Sequence, residues 1–491
     1  MEEKESINKK SKLNIKEQIA NLIIILLFVF CCLFIGYFHE PWSDEAQSWL
    51  IAREEPIGEI FFYNSRYEGT FPLWTLILKL FINFGLEYQN IYIVSTIIST
   101  IGICILLYKT NLPKIIKYLL PFSFFVLYQY TVVARNYSLF IIAFAMLLWL
   151  YEKRHENVWK YFSCLILFSM ISLHGMIISG ALTLLYFLET IKKVKTGEKI
   201  NKNKIICFVT IFLLYCFEVC ILIPPSDLIM DTNYENNFSE IICDFIFKIT
   251  TSYENPISIA INSVIISFWI ILILKNKESI KNEFLLIEVL IIILFLVVRC
   301  ASHHLGILFF IILTKYLILN KKENTYIISA ILVGYIILTL VTGALEVNYK
   351  YSGAKEMAEY IKTIEDYENK DFYGIGYKCV ALLPYFEKNI YSNINDTYYL
   401  WSSNNLEWMI YKKRLYKNPK VIEELKNKVF SEYVLLEYHD LIDFDQEIKE
   451  TIEESGYFEL VYETEGKNFY KGNYSETESY FLYKLKENVW K

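Results

Sequence analysis

Charge is scarce in this chain, and arginine is scarcer still. Charged residues make up 21% of the 491 positions, below the roughly 25% that a soluble chain uses to cover its surface. Of 48 basic residues only six are Arg: Arg53, Arg66, Arg135, Arg154, Arg299 and Arg414. With Gly at 17 and Pro at 10, collagen-like and low-complexity classes are excluded. The ten Cys make no CxxC or Cys/His pattern, so neither a disulfide framework nor a zinc cage is indicated. A net charge of −6 supplies no basic field for nucleic acid. What abounds is apolar: 54% hydrophobic residues, with 39 Tyr and 35 Phe. This composition describes a polytopic α-helical membrane protein with a polar portion attached.

The apolar runs bear this out. A polar, Lys-rich start precedes a run from Ile19 to Phe38, long enough to span and too long for a signal-peptide core. Further runs lie near 89–108, 116–130, 137–151, 159–173, 175–191, 205–223, 257–274, 283–298, 305–319 and 325–344, which predicts about eleven spans. Lysines cluster on alternate connections, at Lys109/Lys114/Lys117, Lys153/Lys160, Lys192 to Lys204, Lys275 to Lys281 and Lys321/Lys322. The positive-inside rule then places the N-terminus in the cytoplasm and the chain after about 344 outside. Two outer loops are long, 39–88 and 224–255. The first carries amphipathic stretches, Asp44–Arg53 and Phe71–Phe84, fit for the interface, and the second a half-apolar stretch, Ile241–Ile249.

From 345 to 491 the composition is that of a soluble domain of about 147 residues, near the modal size. Helical periodicity over Ala354–Tyr367, Val421–Glu432 and Asp445–Ser455 alternates with strand-like runs at Asp371–Tyr377, Tyr433–Leu436, Tyr457–Tyr462 and Tyr480–Lys484. This pattern predicts an extracytoplasmic α/β domain after a transmembrane domain over 1–344. No nucleotide-binding or hydrolase motif occurs in it.

Three places carry residues with chemistry. Trp42-Ser43-Asp44-Glu45 follows the first span; neighbouring carboxylates raise one another's pKa, which suits a general base, although a capped interfacial loop has the same composition. Arg135-Asn136-Tyr137 ends the third run; an Arg there either snorkels to headgroups or grips a phosphate bidentately. Arg299, His303 and His304 share a short outer turn and are candidates for a leaving phosphate. Trp42, Tyr63 and Tyr67 offer rings for sugar stacking, or simply anchor the interface. Four of the six Arg thus fall on the outer side, where positive charge is otherwise avoided.

In order and sidedness these segments resemble the GT-C glycosyltransferases, nearest the branch of protein O-mannosyltransferases and aminoarabinose transferases. Pro41-Trp42-Ser43-Asp44-Glu45-Ala46-Gln47 resembles the Asp-Glu motif of the first outer loop, Tyr67-Glu68-Gly69-Thr70-Phe71-Pro72-Leu73-Trp74 the segment re-entering the second span, and Arg135-Asn136-Tyr137-Ser138-Leu139 the Arg-x-Tyr element. The likeness covers about the first 190 residues by motif and the rest by topology. It implies a polyprenyl-phosphate sugar donor, transfer on the outer face, Asp44 as base, Glu45 in support and Arg135 on the lipid phosphate. The basic residue that some members carry before the Pro is replaced here by Gly69-Thr70, leaving Lys79 as a substitute phosphate ligand.

Expected partners are therefore that donor, a glycan, lipid or protein acceptor, and membrane lipids, with no nucleic acid. The acidic pair has the chemistry to hold a divalent metal, but a polyprenyl phosphate can leave without one, and no cofactor is assigned. The Lys-, Ile- and Asn-rich composition points to an AT-rich bacterial genome and hence a plasma membrane. The alternative class is a flippase or transporter of a lipid-linked saccharide, which needs ionisable groups at mid-membrane; Glu218 and Glu288 are the residues available to it.

Overall fold

The computed structural model describes residues 2–228, 238–250, 255–276, 284–298, 301–319, 323–393, 432–438 and 443–487. The predicted helix over Val421–Glu432 therefore lies almost wholly outside the described residues, and Arg299 lies outside them too. Among those described, eight helices are long and apolar enough to cross a membrane: Ile15–Phe38, Tyr88–Lys109, Lys114–Val132, Leu173–Lys195, Lys202–Leu222, Pro256–Lys275, Ser302–Leu319 and Thr325–Asn348. The runs predicted at 137–151, 159–173 and 283–298 fold as shorter apolar helices, Ser138–Leu150, Val158–Ser169 and Phe284–Val297. At 1.5 Å per residue a helix of 12 to 14 residues covers about 20 Å, short of a hydrocarbon core of roughly 30 Å. The fold is thus a polytopic helical one whose helices differ in reach.

The long segment that follows the first apolar helix is folded, not extended. After α1 (Glu2–Phe38), α2 (Ser43–Glu54) forms with Asp44 and Glu45 in its first turn and Arg53 in its last. That placement complements the helix dipole at both ends. Trp49, Leu50, Ile51 and Ala52 are buried, so α2 is held by its apolar face. An apolar helix over Leu73–Asn83 packs beside it.

The third run is irregular for a chemical reason. Pro121 has no amide hydrogen to donate, and the chain passes through a 3₁₀ turn, Leu120–Phe122, into a wide π-helical stretch, Phe125–Val132, buried along its whole length. Hydroxyls repair its carbonyls: Thr131 Oγ1 donates to Val126 O at 2.7 Å, and Ser95 Oγ donates to Thr131 O at 2.6 Å. The stretch ends by delivering Ala134 and Arg135 beside the start of α2. Close by, a Cβ on Gly102 would stand 2.9 Å from the Ile141 backbone; a small residue lets these helices touch, as membrane packing requires.

The last long helix runs to Asn348, a few residues beyond the predicted domain boundary. The C-terminal region then folds around a four-stranded sheet of β1 (Phe372–Ile375), β2 (Tyr433–Tyr438), β3 (Phe458–Thr464) and β6 (Ser479–Leu485), in the order β1-β2-β6-β3. Only β1 and β2 pair in parallel. Helices Ala354–Ile361 and Asp443–Glu454 accompany the sheet, so the predicted mixture of helix and strand is present. A hairpin that the sequence reading missed, β4 (Lys467–Tyr470) with β5 (Asn473–Thr477), reaches toward the membrane helices. Its turn, Lys471-Gly472, has φ of +50° and +78°, the geometry of a tight hairpin turn. Asn255 Nδ2 and Ser258 Oγ donate to Gly472 O at 3.1 and 3.0 Å. A Cβ on Gly472 would lie 2.5 Å from Ser258 Oγ, so this docking needs glycine for space as well as conformation.

Candidate active site

The site grows from a buried ionic knot at the start of α2. His39 ends the first span and is fully enclosed; its Nε2 faces Glu45 Oε2 at 3.0 Å and its Nδ1 faces Glu346 Oε1 at 3.0 Å. With both ring nitrogens donating to carboxylates, the ring is an imidazolium. Burial alone would lower its pKa, but Glu45 and Glu346 together raise it to about 10. Glu45 also accepts from the amides of Ala134, at 2.7 Å, and Trp42, at 3.2 Å. Tyr128 Oη donates to Glu346 at 2.5 Å. The knot therefore joins the end of α1, the start of α2, the π-helical stretch and the last long helix.

Its consequence is the placement of Asp44 and Arg135, the chain neighbours of Glu45 and Ala134. Arg135 Nη1 meets Asp44 Oδ2 at 2.6 Å, and both side chains are about a quarter exposed. Burial pushes the Asp44 carboxyl upward while Arg135 pulls against it. Arg135 also lies over the Tyr137 ring, 5.4 Å from its centre, and contacts His303 Nε2 at 3.4 Å.

Arg135 lines a cavity of about 250 Å³ together with Ser48, Glu68, Thr70, Tyr137 and His304. His304 stacks near His174, with ring centres 4.5 Å apart. Glu68 was quoted in the sequence only as part of a motif, yet it is the carboxyl that lines this cavity. It accepts from Gln47 Nε2 at 3.4 Å, and burial raises its pKa to about 7. The C-terminal region reaches the same place: Lys378 and Glu476 act electrostatically on Asp44, and Lys378 Nζ donates to Glu476 Oε2 at 3.1 Å. Glu478 accepts from the Ser43 amide at 3.3 Å and from Ser352 Oγ at 2.6 Å, tying that region to the first turn of α2.

The predicted residues separate on this geometry. Asp44, Arg135, His303 and His304 come together. Glu45 is adjacent but turned into the knot, with no exposed surface, so the acidic pair does not present two free carboxylates. Among the described residues no three His, Cys, Asp or Glu side chains are grouped to hold a metal ion. Lys79 has a different task from the phosphate contact expected of it. Its Nζ donates to Ala52 O at 3.0 Å and Glu55 O at 2.8 Å, covering carbonyls at the C-terminal end of α2 that would otherwise lack partners. Lys79→Met is accordingly expected to cost about 1 kcal/mol of stability, seen as a lower melting temperature, without changing affinity for any phosphate ligand.

The expected sugar-stacking rings also lie elsewhere. Tyr63 is 51% exposed on the outside, Tyr67 donates to the Asp227 carboxylate at 3.0 Å, and Trp42 packs edge-on to Tyr351. None of the three lines the cavity. Compared with models of protein families and with curated proteins, the chain matches none.

Proposed function

We propose that this chain is a GT-C-type glycosyltransferase of the bacterial plasma membrane, moving a sugar from a polyprenyl-phosphate donor to a cell-envelope acceptor on the outer face. In this reading eleven helices cross, the three short ones in a locally thinned or tilted arrangement, with the N-terminus in the cytoplasm and the C-terminal region outside. One observation carries it. Asp44 and Arg135, ninety-one positions apart in sequence, meet at 2.6 Å, and Arg135 lines a cavity whose wall also holds the Glu68 carboxyl, His174 and His304.

The chemistry needs such a pairing. An acceptor oxygen attacks the anomeric carbon, the bond from that carbon to the phosphate oxygen breaks, and the polyprenyl phosphate leaves with the electron pair. Arg135 matches the phosphate charge, and the His303 and His304 rings beside it can donate hydrogen bonds to the phosphate oxygens. When the phosphate takes the guanidinium, Asp44 loses its ion partner and becomes the stronger base for the acceptor proton. Glu68 is the neighbouring proton acceptor. The transport alternative gains less support. Glu288 is neutralised by Lys315 at 2.9 Å, and Glu218 is buried against Ser169 at 2.9 Å. Neither lines the Arg135 cavity.

The test is transfer in reconstituted nanodiscs from synthetic polyprenyl-phosphate sugars to extracted envelope acceptors, read by mass spectrometry. Movement of intact donor across a vesicle bilayer without transfer would replace this reading with the transport one. A pH profile adds a specific expectation. Glu68 is protonated below about 7 and available as a base above it, so the rate should climb through that pH. Glu68→Gln should remove that limb; a profile unchanged by the substitution would take Glu68 out of the proton transfer.

A further inference from the structure

Away from the Arg135 cavity, the C-terminal region carries a larger opening of about 520 Å³, walled by the segments 367–371 and 385–392. Its charges nearly balance: Lys362, Lys370 and Lys388 stand against Glu368, Asp371 and Glu387, with Lys370 also paired to Glu432. Such a lining exerts little net field and selects no ion of either sign. It is nonetheless rich in donors and acceptors, with Asn369, Asn389 and Ser392 among them. The half-buried Tyr367 ring, seated on Phe386 at 5.9 Å, adds an apolar surface. A polar, neutral wall with one aromatic platform suits an uncharged polyhydroxylated ligand better than an ion or a lipid tail.

Two further observations tie this opening to the site. A smaller cavity of about 280 Å³ shares Lys362 and Tyr385 with it and extends to Glu87, Tyr88 and Gln89 at the entry to the second long apolar helix. The phenol groups of Tyr88 and Tyr385 are buried there with no hydrogen-bond partner among the described residues. In addition, Arg53 Nη1 donates to Pro384 O at 3.3 Å and Phe386 O at 3.1 Å. Arg53 is the far end of α2, so the opening is braced by the helix that carries Asp44, about 14 Å away at 1.5 Å per residue.

We infer that this paired groove binds a neutral oligosaccharide, a stretch of a glycan acceptor held while its end reaches Asp44. The inference rests on the glycosyl-transfer reading for its purpose, but not for its test. Full-length protein carrying Asp44→Asn, in nanodiscs and without donor, is titrated with neutral tetrasaccharides of glucose, mannose, galactose and N-acetylglucosamine by saturation-transfer NMR. At least one should bind saturably. Tyr367→Ala and Lys388→Ala should each weaken it by tenfold or more, and Tyr367→Trp should retain it, all with melting temperatures near that of the parent. Failure of every tetrasaccharide, or binding indifferent to all three substitutions, overturns the groove as a saccharide site. So does a preference for anionic saccharides that salt abolishes. Because no donor is present, absence of transfer in the wild type would overturn the catalytic reading alone.

Discussion

Asp44→Asn is expected to lower the transfer rate by about 10²–10⁴-fold, the range a positioned general base contributes. Asn keeps the size and one acceptor oxygen toward Arg135, so the 2.6 Å contact weakens without leaving a void. The loss should appear in kcat with donor affinity largely retained. Arg135→Ala should act in the opposite way. Removing a charge-assisted contact worth about 1.5–3 kcal/mol raises the KM for the lipid donor by roughly 10–100-fold. Single-turnover kinetics in nanodiscs separate the two effects. Full activity in the Asp44 variant would remove it as the base, and an unchanged donor KM in the Arg135 variant would remove the phosphate contact.

The second large effect concerns assembly. His39→Ala should destabilise the fold by about 3–5 kcal/mol, because it leaves Glu45 and Glu346 facing each other in the interior without their shared cation. Thermal unfolding in detergent measures it. The pH dependence has a definite sign. His39 is raised from 6.5 to about 10, so its stabilisation is complete below about 6.5, declines as pH rises, and is lost once pH passes about 10. The wild-type melting temperature should therefore fall between pH 7 and 10. A His39→Gln variant should lack that component; an equal fall in both would mean that other groups set it.

Much of the scaffold could be read without coordinates. The apolar runs matched helices in all eleven places, because a stretch of unbroken hydrophobicity has no other way to satisfy its backbone in lipid. Their reach was less legible: the runs at 137–151 and 283–298 make helices of only 13 and 14 residues, and the run predicted over 159–173 stops as a helix at Ser169. In the C-terminal region the four strands of the main sheet fell where alternation placed them, while the β4–β5 hairpin was missed. Its strands are short and polar, and the turn signal at Lys471-Gly472 lacks the usual Asn or Asp.

The site divides along a similar line. Asp44 and Arg135 were visible because a carboxylate pair and a rare Arg stand out against an apolar, Lys-rich background. Glu68, Glu346 and Lys378 were not singled out, although Glu346, an acid in the last turn of an apolar helix, carried a signal of its own. Residue type and local position alone determined which groups are scarce and which segments are helical. Only tertiary packing decided which of them meet: it turned Glu45 inward to His39, spent Lys79 on the end of α2 and brought Arg135 onto Asp44. A pairing between segments ninety residues apart is set by the shape of the packed interior and by which buried charges must find partners there. Neither quantity is carried by a local run of sequence.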